Sequence, residues 1–316
     1  MSAPVPATAD KRGPVVVTGG AGFIGSSVRR RAAARGQRAI ALVRACEAGL
    51  LGPDAEHRVV GWTDPDELAS CLRDLSPALV VHCAGATARG AETIAGLYDA
   101  NVGLTARLLE GVAAACPGAG VVLLSSAAVY GPHAPVPTPE SAPLDPESHY
   151  AASKVMTELL GRTFARRSGL RCAVARPFNV VGPNEPSGSV ISDIGAQVFR
   201  APVGATVTVG LRETTSVRDF VDVEDVADAL LTIAESGETG LAYNVCCGAG
   251  TSIAELVELA ARTWGRVIEP LIQSPAAAGT VSIGDANRLR ALEWSPRHSL
   301  AESLERLRGG AEMRVV

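Results

Sequence analysis

A short β-branched run, Val15-Val16-Val17, passes directly into Thr18-Gly19-Gly20-Ala21-Gly22-Phe23-Ile24-Gly25, and a helical pattern follows to about Arg35. Nothing else in the chain constrains the fold as tightly. Glycines at 19, 22 and 25 let the backbone turn sharply and approach a pyrophosphate, which sits on the helix N-terminus. A glycine motif carries weight when a strand precedes it and a helix follows, as here. The stretch therefore predicts the first βα unit of a dinucleotide-binding sheet.

The residues that follow extend that unit. Ala39 to Val43 reads as a second strand, and it ends in Arg44. An acidic residue at this point would bond the ribose 2′-hydroxyl of NAD, whereas arginine accommodates a 2′-phosphate. The expected cofactor is thus NADP(H), with NAD(H) as the alternative if Arg44 is only a solvated surface residue. Val59-Val60-Gly61 reads as a third strand, with Asp64 either reaching the adenine or capping a helix over Asp66 to Asp74. Ala78 to His82 is a fourth strand whose small followers, Ala84 and Gly85, leave room for a dinucleotide. Asn101 opens an amphipathic helix, and its amide is expected to support neighbouring backbone.

Val121 to Leu124 forms a fifth strand, leading to Ser125 and Ser126, which are expected to face the cofactor because ligands lie beyond the carboxyl ends of parallel strands. A Pro-rich loop runs to Ser148, a helix covers Ala151 to Arg167, and a sixth strand, Ala173 to Arg176, precedes Pro177-Phe178-Asn179. This alternation implies an α/β, doubly wound parallel sheet of Rossmann type. Beyond Gly182 the alternation breaks, which implies a smaller mixed α/β C-terminal lobe for substrate. The expected division is residues 13–176 plus about 217–240 for the dinucleotide, about 177–216 and 241–310 for the substrate, and 1–12 as a flexible leader.

Tyr150-Ala151-Ala152-Ser153-Lys154 carries the chemistry. Four residues apart on a helix, phenol and ammonium share a face, and a nearby cation is expected to lower the phenol's pKa toward a useful acid–base range. Lysine occurs at only two positions, 11 and 154, while arginine supplies the remaining basic charge, so Lys154 is not filler. A formal net charge of −4 gives no basic field for nucleic acid, and no apolar run reaches membrane-spanning length. The leader lacks the apolar core of a signal peptide, and the seven cysteines show no zinc spacing, so buried thiols in a cytoplasmic protein are expected.

TGGAGFIG, SSAAVYG, YAASK, RPFNVVGP and RDFVDVEDVA occur together in the order and spacing of the extended short-chain dehydrogenase/reductase family, which this chain resembles from about Val15 to Leu307. The resemblance is strongest to its nucleotide-sugar epimerases, dehydratases and reductases. It implies Ser126, Tyr150 and Lys154 as the catalytic triad. It further implies Gly19, Gly22, Phe23, Ile24, Gly25, Arg44, Asp64, Ala84, Gly85, Asn101, Pro177 and Phe178, with Tyr150 and Lys154, as cofactor contacts. On the substrate side it implies Thr87, Ser126, Asn179 and Arg218. Dehydratases of the family carry Asp-Glu where this chain has Ala127-Ala128, so the resemblance implies that dehydration by that route is not the expected reaction. The expected reaction is NADPH-dependent reduction of the C4 ketone of a nucleotide-linked 4-keto-6-deoxyhexose. Its rivals are an NAD-dependent 4-epimerase, a non-catalytic dinucleotide sensor and a reductase of a non-sugar carbonyl. The resemblance also implies a homodimer through the helices starting near Asn101 and Tyr150. One departure stands out: Ser274-Pro275-Ala276-Ala277-Ala278 lacks the family's diphosphate-gripping arginine, a role left to Arg212 or another arginine.

Overall fold

The computed structural model describes residues 13–53, 55–87, 90–274 and 278–312. The expected leader and the Pro275–Ala277 stretch lie outside the described residues. The first half lays down β1 (Val15–Thr18), α1 (Phe23–Ala34), β2 (Ala39–Val43), β3 (His57–Val59), α2 (Pro65–Leu75) and β4 (Leu79–His82). Then come α3 (Ile94–Tyr98), α4 (Leu104–Ala115), β5 (Gly120–Leu124), α5 (His149–Ser168) and β6 (Cys172–Pro177). The second half adds β7 (Asn179–Val181), α6 (Val190–Arg200), β8 (Thr206–Leu211), β9 (Val217–Asp222), α7 (Val223–Ser236), β10 (Ala242–Val245) and β11 (Gly250–Ser252). It closes with α8 (Ile253–Trp264), β12 (Val267–Ile272), β13 (Val281–Ser282), α9 (Asn287–Arg290) and α10 (Leu300–Glu312).

Seven parallel strands form the central sheet in the order β10-β6-β5-β4-β1-β2-β3. Its inner strands are buried on both faces, which is why they read as unbroken Val, Ile and Leu. Val28 and Ala32 of α1 join Val226, Leu230 and Ile233 of α7 on one face. Leu68 and Leu72 of α2 join Leu108, Leu109 and Val112 of α4 on the other. The crevice lies where the order reverses between β1 and β4, the position at which such sheets bind ligands.

The remaining strands build two smaller sheets. β9 pairs in parallel with β7 and β13 and antiparallel with β11, while β8 pairs in parallel with β12. Their core gathers Ile191, Ile194 and Val198 of α6, Val209, Leu256 of α8 and Leu304 of α10. Ser252 and Glu255 form the expected reciprocal cap on α8. Among the described residues, no helix is long and apolar enough to cross a membrane.

Three expectations need correction. β3 lies at His57–Val59 rather than at 59–61. Asn101 does not open a helix: it sits inside a π-helical stretch, Asp99–Gly103, that joins α3 to α4. The wider turn suits Gly103, where any Cβ would meet Asp99 Oδ1 at 2.3 Å. The thiols are all free, yet Cys46 is exposed, so burial holds only for Cys172 and Cys246 in full.

Candidate active site

The turn from β1 to α1 begins the site. α1 has Gly22 as its N-cap, with no side chain capping it and no acidic residue in its first turn, so the leading backbone N–H groups are open to an anion. A Cβ on Gly25 would stand 2.2 Å from the Gly19 carbonyl oxygen, so only glycine lets the helix start this close to the loop. Phe23 and Ile24, partly buried, lead the helix away, and the Phe23 ring approaches Gly182 beside Val223.

A directional chain of hydrogen bonds fixes the strand ends. The Ala84 N–H donates to Thr18 Oγ1 (3.2 Å), which lies 2.7 Å from His82 Nδ1. On the far side of the ring, His82 Nε2 lies 3.0 Å from Thr105 Oγ1, which itself donates to the Asn101 carbonyl (2.5 Å). Thr105 uses its proton on Asn101, so the imidazole carries its own proton on Nε2 and accepts from Thr18 on Nδ1. Burial holds His82 neutral, its pKa down to about 3, with Lys154 adding to the effect.

Asn101 supports the crevice as expected. Its amide accepts from the Ala86 N–H (2.8 Å) and donates to the Ala86 carbonyl (3.0 Å) and to Ser153 Oγ (2.8 Å). The segment after β4 is thereby pinned to α5. Gly85 is squeezed between the two, because a Cβ there would meet Asn101 Oδ1 at 2.6 Å and Lys154 Nζ at 3.4 Å.

Lys154 is buried and donates to the Leu124 carbonyl at 2.9 Å. Burial lowers its pKa to about 8, with Cys83 and Glu158 opposing. Tyr150 stands one turn earlier, its ring centroid 5.9 Å from Lys154 Nζ. The Ser126 hydroxyl lies against the phenol and pulls its pKa down, but burial outweighs this and moves it up from 10.0. The expectation that Lys154 lowers the phenol's pKa is therefore not met in the protein alone, since the ammonium is held by the Leu124 carbonyl and burial dominates the phenol. Ser125 is also corrected. It is buried and donates to Glu158 Oε1 (2.6 Å), because successive strand residues point to opposite sides.

Other expected contacts are placed less directly. Arg44 ends β2 exposed, paired with Glu47 Oε1 at 2.6 Å in a reciprocal cap. Asp64 takes the capping role, accepting from the Asp66 and Glu67 N–H groups at the start of α2. Pro177 closes β6 opposite Val245, and Phe178 buries its ring against Tyr130 while its N–H donates to the Val245 carbonyl. Thr87 is exposed and accepts at its carbonyl from Gly90.

Asn179 and Arg218 line a separate cavity of about 440 Å³, together with Glu185, Ser189, Arg212 and Phe220. The Asn179 amide donates to the Asp219 carbonyl (3.1 Å). Arg218 donates from Nη1 to the Val217 and Thr280 carbonyls and from Nη2 to Thr280 Oγ1, which leaves Nε–H and one Nη2–H for a ligand. Arg212 is exposed at the same cavity, and Glu213, which also lines it, accepts from the Thr215 and Ser216 N–H groups on Oε2. Two cationic side chains on one wall suit a diphosphate. Thr87 does not line this cavity.

Residues 15–246 match the NAD dependent epimerase/dehydratase family. The chain belongs to that family. Among its relatives, dTDP-6-deoxy-L-talose 4-dehydrogenase (NAD(P)(+)) of Kitasatospora kifunensis is 34% identical, over 96% of this chain and 96% of the relative. GDP-6-deoxy-D-mannose reductase of Pseudomonas aeruginosa is 31% identical, over 80% of this chain and 86% of the relative. The solved UDP-glucose 4-epimerase of Thermotoga maritima, bound to UDP-glucose, superposes with a TM-score of 0.85 at 28% identity, covering 96% of this chain and all of that one.

The residues present fit the family's dinucleotide. The uncapped N-terminus of α1 meets the pyrophosphate requirement, and the small residues Ala84 and Gly85 keep the ends of β1 and β4 open. Family membership makes the chain an NAD(P)-dependent enzyme of the oxidoreductase/epimerase type. Sequence reading missed Glu185, the His82 relay and the Glu158–Arg176 pair, none of which stands in a recognisable spacing.

Proposed function

We propose that the protein reduces the C4 ketone of a nucleotide-linked 4-keto-6-deoxyhexose with NADPH. The observation that carries this reading is the placement of the Tyr150 phenol beside the Ser126 hydroxyl and one turn from Lys154. Reduction of a ketone needs a proton donor at the carbonyl oxygen, and a phenol whose pKa is raised is in the donor state at neutral pH. Ala127 and Ala128 offer no acid or base for loss of water. When bound, the dinucleotide supplies the hydride to the C4 carbon. Ser126 stabilises the developing oxyanion and Tyr150 protonates it. Lys154, fixed by the Leu124 carbonyl, places its positive charge behind the phenol. Arg218 and Arg212 hold the diphosphate, and Arg44 accepts the 2′-phosphate after exchanging its bond to Glu47. The segments 177–216 and 241–310 serve as the substrate lobe, apart from β10, which belongs to the central sheet. A homodimer forms through the helices beginning near Asn101 and Tyr150, where Met156 and Leu159 stand exposed on α5.

A second reading, an NAD-dependent 4-epimerase, draws support from the likeness to the Thermotoga maritima enzyme. Incubation with GDP-, dTDP- and UDP-linked 4-keto sugars, and in parallel with the corresponding 4-hydroxy sugars, separates the two. The reductase reading expects stoichiometric NADPH consumption and a 4-hydroxy product, with NADH used less well. Interconversion of 4-epimers without added reductant would overturn it.

The lowered pKa of Lys154 gives a pH dependence. Its charge is complete well below pH 8 and is lost as pH rises through about 8, while the phenol, shifted upward, stays protonated. We expect kcat/KM for reduction to fall above pH 8, since that ratio reports the free enzyme. A profile flat to pH 10 would remove the Lys154 charge from the chemistry.

A further inference from the structure

Among the groups that line the cavity with Arg212 and Arg218, Glu185 is one that the proposed reaction leaves unused. Glu185 lies in the loop between β7 and α6, where the Ser189 hydroxyl and the Gly182 backbone N–H lie against its carboxyl. Its Oε2 is nevertheless buried with no hydrogen-bond partner among the described residues. Burial raises the Glu185 pKa to about 7, the contacts to Ser189 and Gly182 opposing and Asp193 reinforcing. A buried acceptor without a donor destabilises the fold, and such a group in a cavity wall calls for a donor on the ligand.

The chemistry of a nucleotide sugar narrows what that donor is. The diphosphate has no N–H and is drawn to the arginines. The hexose must reach Tyr150, which does not line this cavity. Apolar walls from Val180, Ile191, Leu211 and Phe220 suit the flat face of a base better than a ring of hydroxyls. Among the bases, guanine offers two adjacent donors, N1–H and N2–H, on one edge. Thymine and uracil offer a single N3–H flanked by two carbonyl oxygens, which repel a carboxylate. Selection then follows from repulsion as much as from attraction.

We propose that Glu185 reads the nucleobase, its carboxylate pairing with the N1–H and N2–H edge of guanine, so that the chain takes a GDP-linked sugar. This rests on the nucleotide-sugar reading above and adds the identity of the nucleotide. It also gives the orphan Oε2 its partner, in a cavity where Arg212 and Arg218 take the diphosphate and Glu213 is held on Oε2 by the Thr215 and Ser216 N–H groups.

Calorimetric titration of the full chain with GDP, UDP and dTDP at pH 8, where the carboxyl is mostly ionised, tests the assignment. GDP is expected to bind at least about tenfold more tightly than either pyrimidine nucleotide, the discrimination of one bidentate pair. Glu185→Gln keeps the size but turns one acceptor into a donor facing the guanine N–H groups. It is expected to erase the preference, chiefly by weakening GDP. UDP or dTDP binding as tightly as GDP to the unaltered chain, or a preference that survives in Glu185→Gln, would overturn the guanine assignment and leave the nucleotide-sugar reading standing. If none of the three binds to protein that still binds NADPH, the nucleotide-sugar reading itself fails, and this assignment with it.

Discussion

Tyr150→Phe is expected to lower turnover by about 10²–10⁴-fold, the range for losing a positioned general acid, while NADPH affinity stays nearly unchanged. The phenylalanine ring keeps the packing at the start of α5 and removes only the phenol oxygen. Ser126 remains and can still bond the substrate oxygen, so the residual rate reports electrostatic stabilisation without proton delivery. Lys154 keeps its bond to the Leu124 carbonyl, which does not involve the phenol. Steady-state turnover on a keto sugar and cofactor binding by fluorescence provide the two readings. Equal loss of both would mean that the substitution disturbs the crevice, and unchanged turnover would remove Tyr150 from the chemistry.

The parts of this site that sequence revealed share one property: their chemistry depends on near neighbours in the chain. The glycine loop, the Tyr150–Lys154 spacing and the Ser252–Glu255 cap are each fixed within seven residues or fewer. Parallel strands were legible because burial on both faces writes continuous apolar runs. The π-helical stretch was not, because a single wide turn shifts the apolar phase without any distinctive residue, and a period-3.6 reading then starts the helix at the wrong place. The short strands β11 and β13 were hidden for a related reason. Strands of two or three residues carry no alternation, and their place is set by pairing with β9, far away in sequence.

Ser125 and Ser126 show how much one residue of register matters. Both follow β5, yet Ser126 meets the Tyr150 phenol while Ser125 turns under the sheet to Glu158. The period-two rule could have separated them, given which face carries the crevice. Glu185 offered no such handle. An isolated glutamate in a Pro- and Ser-rich loop looks solvated, and only packing reveals its buried, unpartnered oxygen.

Glu158→Gln is expected to destabilise the fold by about 3–5 kcal/mol, the usual consequence of removing one partner from a buried ion pair. The side chains of Glu158 and Arg176 are 1% and 4% exposed. They are joined by two bonds, from Arg176 Nε to Oε1 at 2.9 Å and from Nη2 to Oε2 at 2.6 Å. Glutamine keeps one acceptor oxygen but loses the negative charge and turns the second acceptor into a donor facing the guanidinium, whose charge stays buried with the Tyr130 hydroxyl and the Glu140 carbonyl as its other partners. Chemical denaturation should show the loss as a lower midpoint with an unchanged slope. Glu158→Leu combined with Arg176→Met should recover part of it, since an apolar pair needs no compensating charge, although Ser125 and Tyr130 would lose a partner. Glu158 also stands one turn beyond Lys154 and helps keep that ammonium charged. The alkaline fall in kcat/KM should therefore move below pH 8 in Glu158→Gln, at temperatures where the variant remains folded. A lower denaturation midpoint without that displacement would make the pair a structural element alone. Both changes together would tie the buried core behind β5 to the protonation state of the site in front of it.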